Sequence, residues 1–324
     1  MDILKVDVEL LIQHGNKVFS PIVQEGITWS TERKGCPGQL QFKVVKDGVL
    51  EITEGDAVRL KVNDANIFYG FIFKLKRDKE QIIDVTAYDQ LRYLKNKDTY
   101  VYENKTAGEL IKMIAEDFQL QTGHIENTGF KIASRVEENT SLFDMIQNAL
   151  DLTLQNQSHI YVLYDDFGKI TLKGLENMRL DVLIDEETGE NFDYTSSIDE
   201  QTYNKIKLTY DNEKTSTREV YIAQDSNNIN SWGVLQYFET LQEGENGKAK
   251  ADALLSLYNT KTRNLSINNA IGNVKVRAGS LIVVMLDLGD MKLNNFMLVE
   301  KCKHEFNNGQ HLMNLTLRGG EFIA

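Results

Sequence analysis

Five histidines and two cysteines are the residues of this 324-residue chain best suited to metal binding or nucleophilic chemistry, and most stand alone in sequence. The tightest group is Cys302-Lys303-His304 with His311 across the Asn307-Asn308-Gly309 turn; His14, His124 and His159 have no such neighbours. On a hairpin centred on that turn, Cys302 and His304 share a face because they are two residues apart, while the face of His311 is left open. The short Cys-x-x-Cys or His-x-x-x-His spacings that usually hold zinc are missing, so a cross-strand polar pair at a hairpin end is favoured over a metal centre. Paired carboxylates at Asp165-Asp166 and Asp185-Glu186-Glu187 could in principle supply the acid and base of a glycosidase. That chemistry needs one carboxyl desolvated against apolar groups, whereas both sets lie in polar turns beside glycine and are expected to be solvated, with ordinary acidity. A Gly-x-Ser-x-Gly elbow, a phosphate loop and a Gly-x-Gly-x-x-Gly after a strand are absent. Asp165-Asp166-Phe167-Gly168 is too short for a calcium loop. The expectation is a non-enzymatic chain with no catalytic residue, no metal site and no cofactor.

The elements that must carry these residues are mostly strands. Ile67 to Lys76 begins apolar on both faces and ends alternating, and after the charged turn Arg77-Asp78-Lys79-Glu80 comes Gln81 to Tyr88, rich in β-branched and aromatic residues; together they predict a hairpin. Ala57 to Val62 alternates cleanly after Glu54-Gly55-Asp56, and several short strands with turns between them suggest a small barrel. The character changes near residue 104. Thr106-Ala107-Gly108-Glu109 is a capping box opening a helix with Leu110, Ile111, Ile114 and Phe118 on one side. A second helix opens at Thr140-Ser141 and buries Leu142, Phe143, Ile146 and Leu150, followed by strands around His159–Tyr164 and Lys169–Leu172. Strand signals return from Asn204, interrupted by one helix with Ala251, Leu254, Leu255 and Tyr258 on a single face. The run Leu281–Leu286, the long strand Phe296–Lys303 and the strand His311–Leu317 then repeat the strand, loop, long strand, tight turn, strand order of the first hundred residues, which suggests duplication of a β-unit. The chain is therefore expected to be mainly β with an α+β insert: a first β-barrel domain over 1–102, an α+β middle domain over 103–200, and a second, similar small β-barrel over 201–324 with a helical insertion around 247–260.

Composition narrows the function. With 41% hydrophobic and 26% charged residues the chain is an ordinary globular one, neither disordered nor fibrous. Its 36 Lys and Arg against 48 Asp and Glu give a net charge of −12, and the basic residues are scattered, which argues against general nucleic-acid binding. Met1-Asp2-Ile3-Leu4-Lys5-Val6-Asp7 is charged where a secretory signal needs an apolar run, so no Sec export is expected. Leu281–Leu286 is far too short to span a bilayer and reads as a buried strand, so no membrane insertion is expected. Cys36 and Cys302 do not make a disulfide framework and fit a reducing cytosol. With only Pro21 and Pro37 in the chain, rigid linkers are absent and domains should abut.

Several longer strings carry a resemblance. Trp29-Ser30-Thr31-Glu32-Arg33-Lys34-Gly35-Cys36-Pro37-Gly38-Gln39-Leu40-Gln41-Phe42, Glu54-Gly55-Asp56, Phe68-Tyr69-Gly70, Ala87 through Tyr100 with Tyr88-Asp89-Gln90-Leu91-Arg92-Tyr93-Leu94 at its heart, Ser141-Leu142-Phe143-Asp144, Val276-Arg277-Ala278-Gly279-Ser280 and the region from His304 to Leu317 together resemble the XkdQ family of phage-like tail proteins. These are baseplate hub proteins of contractile tails of the PBSX prophage type, related to the hubs of T-even phages. The resemblance implies two tail-tube-like barrels per chain and a homotrimer whose six barrels adapt a sixfold tail tube to a threefold spike. It also implies partners among tail tube, spike, baseplate wedge and LysM-type tail proteins, transient DNA passage through a central channel, assembly in the bacterial cytoplasm and a place in a virion or phage-tail-like bacteriocin particle. Aromatic and Arg side chains suit interface anchors, so Trp29, Arg33, Tyr88, Asp89, Arg92 and Tyr93 are the candidate interface residues. Thr106 to Phe118 and the loop after it look a little like a LysM module, and the alternative function is a protein that binds or degrades peptidoglycan. Against it stands the expectation that the residues after Leu317-Arg318-Gly319-Gly320 leave no room for an appended peptidase or lysozyme domain.

Overall fold

A computed structural model describes residues 5–199, 201–212, 216–241, 245–289 and 292–319; the expectations placed on the first four residues and on the end of the chain after Gly319 lie outside them. The chain divides into two compact units, one made of residues 1–193 and 266–317, the other of residues 194–265 and 318–324.

The first unit begins with β1 (Val8–His14), β2 (Lys17–Phe19), β3 (Val23–Glu32), β4 (Gln39–Val45), β5 (Ala57–Val62), β6 (Ala65–Arg77) and β7 (Ile82–Tyr88). The predicted hairpin is β6–β7, antiparallel, with Ile72 opposite Ala87 and Leu75 opposite Val85. Strict alternation makes β5 two-faced: Val58, Leu60 and Val62 are buried while Arg59 and Lys61 reach toward Glu9. Phe68 and Ile72 of β6 join Trp29, Leu40, Phe42, Val85 and Phe306 in the main core. A 3-10 turn, Gln90–Lys95, capped by Asp89, then leads out of the sheet.

The insert follows as β8 (Lys97–Lys105), α1 (Ala107–Asp117), β9 (Thr122–Ile125), β10 (Ile132–Ser141), α2 (Leu142–Gln157), β11 (Tyr161–Asp165), β12 (Ile170–Gly174), β13 (Arg179–Ile184) and β14 (Asn191–Ser197). Both predicted helix starts are present. Thr106 accepts from the Glu109 backbone while the Glu109 carboxylate accepts from the Thr106 N–H, and Ser141 accepts from the Asp144 N–H. Leu110, Ile111 and Ile114 of α1 close against Leu142, Met145 and Ile146 of α2 and Ile170 and Leu172 of β12, giving the insert a core of its own.

In the second unit β15 (Lys205–Asn212) lies between β16 (Thr217–Gln224) and, after α3 (Ser226–Trp232), β17 (Gln236–Thr240). The predicted amphipathic helix is α4 (Gly247–Tyr258), whose Ala251 and Leu254 cover Ile206, Leu208 and Ala223. The short α3 was not anticipated from the sequence; it carries no buried side chain and is started by Asp225, which accepts from the Asn227 and Asn228 N–H groups.

The chain then forms β18 (Thr262–Ile271), β19 (Leu281–Asp287), β20 (Lys292–Asn307) and β21 (Gln310–Gly319). The expected buried strand is β19, antiparallel to β20 from Leu281 opposite Leu298 to Asp287 opposite Lys292. At the coarse level the expectation holds: the protein is mainly β with few helices. The finer picture of two barrels is not what the pairings trace. Among the described residues no closed barrel forms; β20 instead pairs with β3, His304 opposite Trp29 and Cys302 opposite Thr31, so that strands from both ends of the chain share the open path β18-β21-β20-β3-β4-β7-β6-β5-β1-β2. Both cysteines are free thiols, Cys302 buried, and no described helix is long and apolar enough to cross a membrane.

Removing the Thr106 hydroxyl breaks the reciprocal cap of α1. Thr106→Ala is expected to lower unfolding free energy by about 1 kcal/mol in urea titration, and an unchanged midpoint would contradict the assignment.

Candidate functional site

The first unit buries a continuous polar column where strand pairing brings distant residues together. His304 on β20 and His311 on β21 face the same side, with His304 Nδ1 2.8 Å from His311 Nε2. His304 Nε2 lies 2.8 Å from the Val276 carbonyl, which can only accept, so Nε2 carries the proton and Nδ1 accepts from His311. The Cys302 thiol sits 3.1 Å from the same Nε2 and donates to Val276 O. The group is thus a relay closed by a carbonyl, with no convergence on a common point, and among the described residues no cluster of His, Cys, Asp or Glu could hold a metal ion. The expected hairpin-end polar pair is in fact a core element: His311 shares the face that the spacing left open. Burial pushes His304 down to about 3 and His311 to about 4, and pushes the Cys302 thiol above its ordinary range.

Rings continue the column. His304 stacks on Trp29 at 4.8 Å between centroids, and the Arg277 guanidinium lies 5.9 Å from the Trp29 ring and 4.2 Å from the Tyr164 ring. Arg277 is carried by the loop between β18 and β19. Among the contacts that hold that loop, Ala278 N donates to Thr31 Oγ1, Gly279 N to the Val299 carbonyl, and an Arg277 guanidinium N–H to the Asp165 carbonyl at 2.7 Å. Gly279 has φ +92°, and a Cβ there would come within 2.2 Å of Val162, so only glycine lets the loop lie against β11.

Beside Arg277 lie two carboxylates. Asp89, 4% exposed, accepts from the Gly38 N–H at 2.8 Å and the Leu91 N–H at 3.0 Å. Asp165, 6% exposed, accepts from the Gly168 N–H at 2.7 Å through Oδ1, while its Oδ2 is buried without a hydrogen-bond partner. Burial pushes both carboxyls up, Asp165 to about 6; for Asp89 the nearby Asp165 charge adds to the rise. This corrects the expectation of a solvated turn with ordinary acidity. Only Asp166 points out to solvent; Asp165 closes β11 and is drawn inside by Arg277. In the acidic turn at Asp185–Glu187 the two glutamates are exposed as expected, but Asp185 is held below the ordinary carboxylate range by the Thr188 hydroxyl.

The candidate interface residues separate. Trp29 and Asp89 belong to the buried column, and Arg33 is half-buried in a two-pronged ion pair with Glu300 at 2.8 and 2.9 Å. Tyr88, Arg92 and Tyr93 are half-exposed and sit with Phe71 and Phe73 on the outer face of β6–β7: Phe73 contacts both tyrosines, Phe71 contacts Tyr93, and Arg92 lies 5.3 Å over the Phe73 ring. Next to this aromatic face, Lys303, Ser30, Gln39 and Tyr88 line up directly across four strands. They line a groove of about 440 Å³ with Glu32 and Lys301, themselves paired at 3.0 Å. The remaining histidines play no part: His14 pairs with Asp56 at 3.0 Å, and His124 and His159 are exposed. Sequence reasoning missed Arg277 as a site residue, although its string, an arginine in an otherwise small and apolar turn ending in glycine, was part of the resemblance.

The YqbQ-like family model matches residues 27–318, which takes in the whole column and the aromatic face. The chain belongs to the YqbQ-like family. The uncharacterized protein YqbQ of Bacillus subtilis (strain 168) is 32% identical over 308 residues, covering 91% of this chain and 92% of the relative. XkdQ of the phage-like element PBSX, from the same strain, is 31% identical over 308 residues, again 91% and 92%; the resemblance read from the residue strings is thus to a homologue. Among solved structures, the 43 kDa tail protein of prophage MuSo2 from Shewanella oneidensis shares the fold with TM-score 0.70 at 12% identity, over 95% of this YqbQ-like chain and 98% of that one. The E. coli c3393 protein, a type VI secretion component described as similar to T4 tail proteins gp27 and gp5, gives TM-score 0.58 at 9% identity, over 98% and 78%.

Both imidazoles are neutral in the fold. Their contribution to stability is present above the unfolded value of about 6.5 and is lost as pH falls through the folded values near 4 and 3. In an NMR titration the ring signals of His304 and His311 should keep the neutral pattern at about pH 5; midpoints near 6.5 would show that the relay is not buried as described.

Proposed function

We propose that this chain is a structural hub component of the baseplate of a contractile phage tail or phage-tail-like particle, acting as a homotrimer that adapts a sixfold tail tube to a threefold spike. The observation that carries the reading is homology along 91% of the chain to XkdQ of the phage-like element PBSX. The fold shared with a prophage tail protein, and with a type VI component described as like T4 tail proteins, supports it. The interior fits a mechanical part. Its ionisable groups are spent on joining segments, with Arg277, Asp165 and the imidazoles closed off by Trp29, Tyr164 and the Val276 carbonyl, so we read the chain as non-enzymatic. Its place is then the baseplate of the particle, with tail tube and spike proteins as partners.

We assign the protein–protein contact to the outer aromatic face. Tyr88, Arg92 and Tyr93 with Phe71 and Phe73 combine large rings with one guanidinium, the residue types that dominate interface energetics. Their mutual edge-on packing holds them in place before a partner arrives, which lowers the ordering cost of binding.

Native mass over a range of concentrations tests the reading. A species near 111 kDa, three times the 37.0 kDa chain, is expected, with Arg92→Ala/Tyr93→Ala shifting it to the monomer while the far-ultraviolet circular dichroism is kept. A monomer at every concentration that also fails to co-sediment with tail tubes would count against a hub, and retention on cell-wall sacculi with loss of turbidity would favour the peptidoglycan alternative.

A further inference from the structure

Two strand faces, one in each unit, carry large apolar side chains that stay in water. In the second unit, Ala251 and Leu254 of α4 cover one face of the β16-β15-β17 sheet, over Ile206, Leu208 and Ala223. Alternation sends Lys205, Lys207 and Thr209 of β15 to the opposite face. There Lys207 lies between Ile222 and Phe238, Lys205 between Gln224 and Gln236, and Thr209 between Val220 and Thr240. Phe238 is 57% exposed, Ile222 54% and Val220 48%, so this face is uncovered. The ion pairs described in this unit join Arg218 to Asp211 and Lys250 to Glu239 and Glu245; among the described residues Lys205 and Lys207 have no acidic partner.

The second face belongs to the two-stranded ribbon of β8 and β10 in the insert. Tyr100 and Tyr102, opposite Glu137 and Arg135, turn toward the insert core. The other face centres on Val101, directly opposite Val136, and the two are 64% and 63% exposed. Glu103 follows two residues along β8 and Glu138 two residues along β10, and both are exposed. The ion pair of the ribbon, Arg135 with Glu137, lies on the covered face, so among the described residues Glu103 and Glu138 have no cation partner. Lysines on this face stand at its two ends, Lys97 opposite Ser141 and Lys105 opposite Ile132.

A single exposed valine needs no explanation, but neighbouring exposed apolar side chains on one sheet face mark a surface for association. The two faces are complementary. One sets aliphatic and aromatic groups around two lysines; the other sets aliphatic groups between two glutamates. We propose that the β16-β15-β17 face of one copy of this chain packs on the β8–β10 ribbon of the next, Lys205 and Lys207 meeting Glu103 and Glu138 around an apolar centre of Ile222, Phe238, Val101 and Val136. Because the two surfaces differ, the contact is head-to-tail, and repeated about an axis it closes a ring. The inference rests on the homotrimer reading and gives the trimer a contact separate from the outer aromatic face. Opposite charges beside apolar surface select the partner face, and like charges exclude it.

Zero-length cross-linking with a carbodiimide, on an equal mixture of unlabelled and isotope-labelled full-length chains, reads the contact in the wild type. Amide links from Lys205 or Lys207 to Glu103 or Glu138 are expected between chains of different label. In sedimentation, Lys205→Glu/Lys207→Glu and Glu103→Lys/Glu138→Lys should each raise the concentration at which the trimer dissociates by about tenfold or more. The variant carrying all four changes should return it to within about threefold of the wild type, since the charges then match again with reversed sign. A trimer without these links, links confined to chains of one label, pair variants as tightly associated as the wild type, or no recovery in the fourfold variant would each overturn the contact and leave the hub reading standing. A wild type that stays monomeric would overturn it as well, and the hub reading would then turn on co-sedimentation with tail tubes. If the variants fail to fold, the wild-type cross-links alone decide.

Discussion

A guanidinium drawn into the interior must find partners inside the protein, and Arg277 finds them on three segments that are far apart in sequence. It bonds the carbonyl of Asp165, lies over the rings of Tyr164 and Trp29, and faces the carboxylates of Asp89 and Asp165. The contacts come from three pieces of the first unit: β11 of the insert, β3 of the sheet and the turn after β7. A buried charge is seldom the most stabilising way to fill a core, since apolar residues of the same volume often do as well. What it adds is selectivity. An apolar plug tolerates small slips of one segment on another, whereas a cation with directional partners loses several of them at once when any segment moves.

The loop that carries Arg277 shows how closely the backbone is fitted to this purpose. Gly279 adopts a left-handed conformation against Val162, Gly272 is pressed on the His311 ring, and the Val276 carbonyl closes the histidine relay. Polar groups at the core are therefore met by backbone as much as by side chains. In a baseplate, where one part must hold its shape while forces pass along the tail, such over-determined joints are what the proposed role would ask for. The outer aromatic face then presents a rigid surface built on the same strands: Tyr88 ends β7, and Asp89, next in the chain, is already part of the column.

How far the sequence foretold this depends on the range of each interaction. The β6–β7 hairpin, the capping box at Thr106, the helix start at Ser141 and the apolar side of α4 were legible because their signals lie within one turn or one strand. The pairing of β20 with β3 was not, since no local pattern ties His304 to Trp29 across 275 positions of chain. That pairing is why, among the described residues, strands from the two ends share one open path. Asp165 was misread for the same reason. Beside Asp166, Phe167 and Gly168 it looks like any solvated turn, and only the arrival of Arg277 from 112 residues away draws it inside. The histidines were singled out for their chemistry, but the strand register that buries them is a long-range property.

If Arg277 is the joint between insert and sheet, weakening it without removing its charge should loosen that joint before anything else. Hydrogen exchange on Arg277→Lys, which keeps a cation but loses the planar stacking and the forked donors, measures this segment by segment. Protection should fall first in β11, β12 and the Ala278–Ser280 turn, with β1, β5 and β6 retaining theirs. An exchange pattern indistinguishable from that of the wild type would contradict the account.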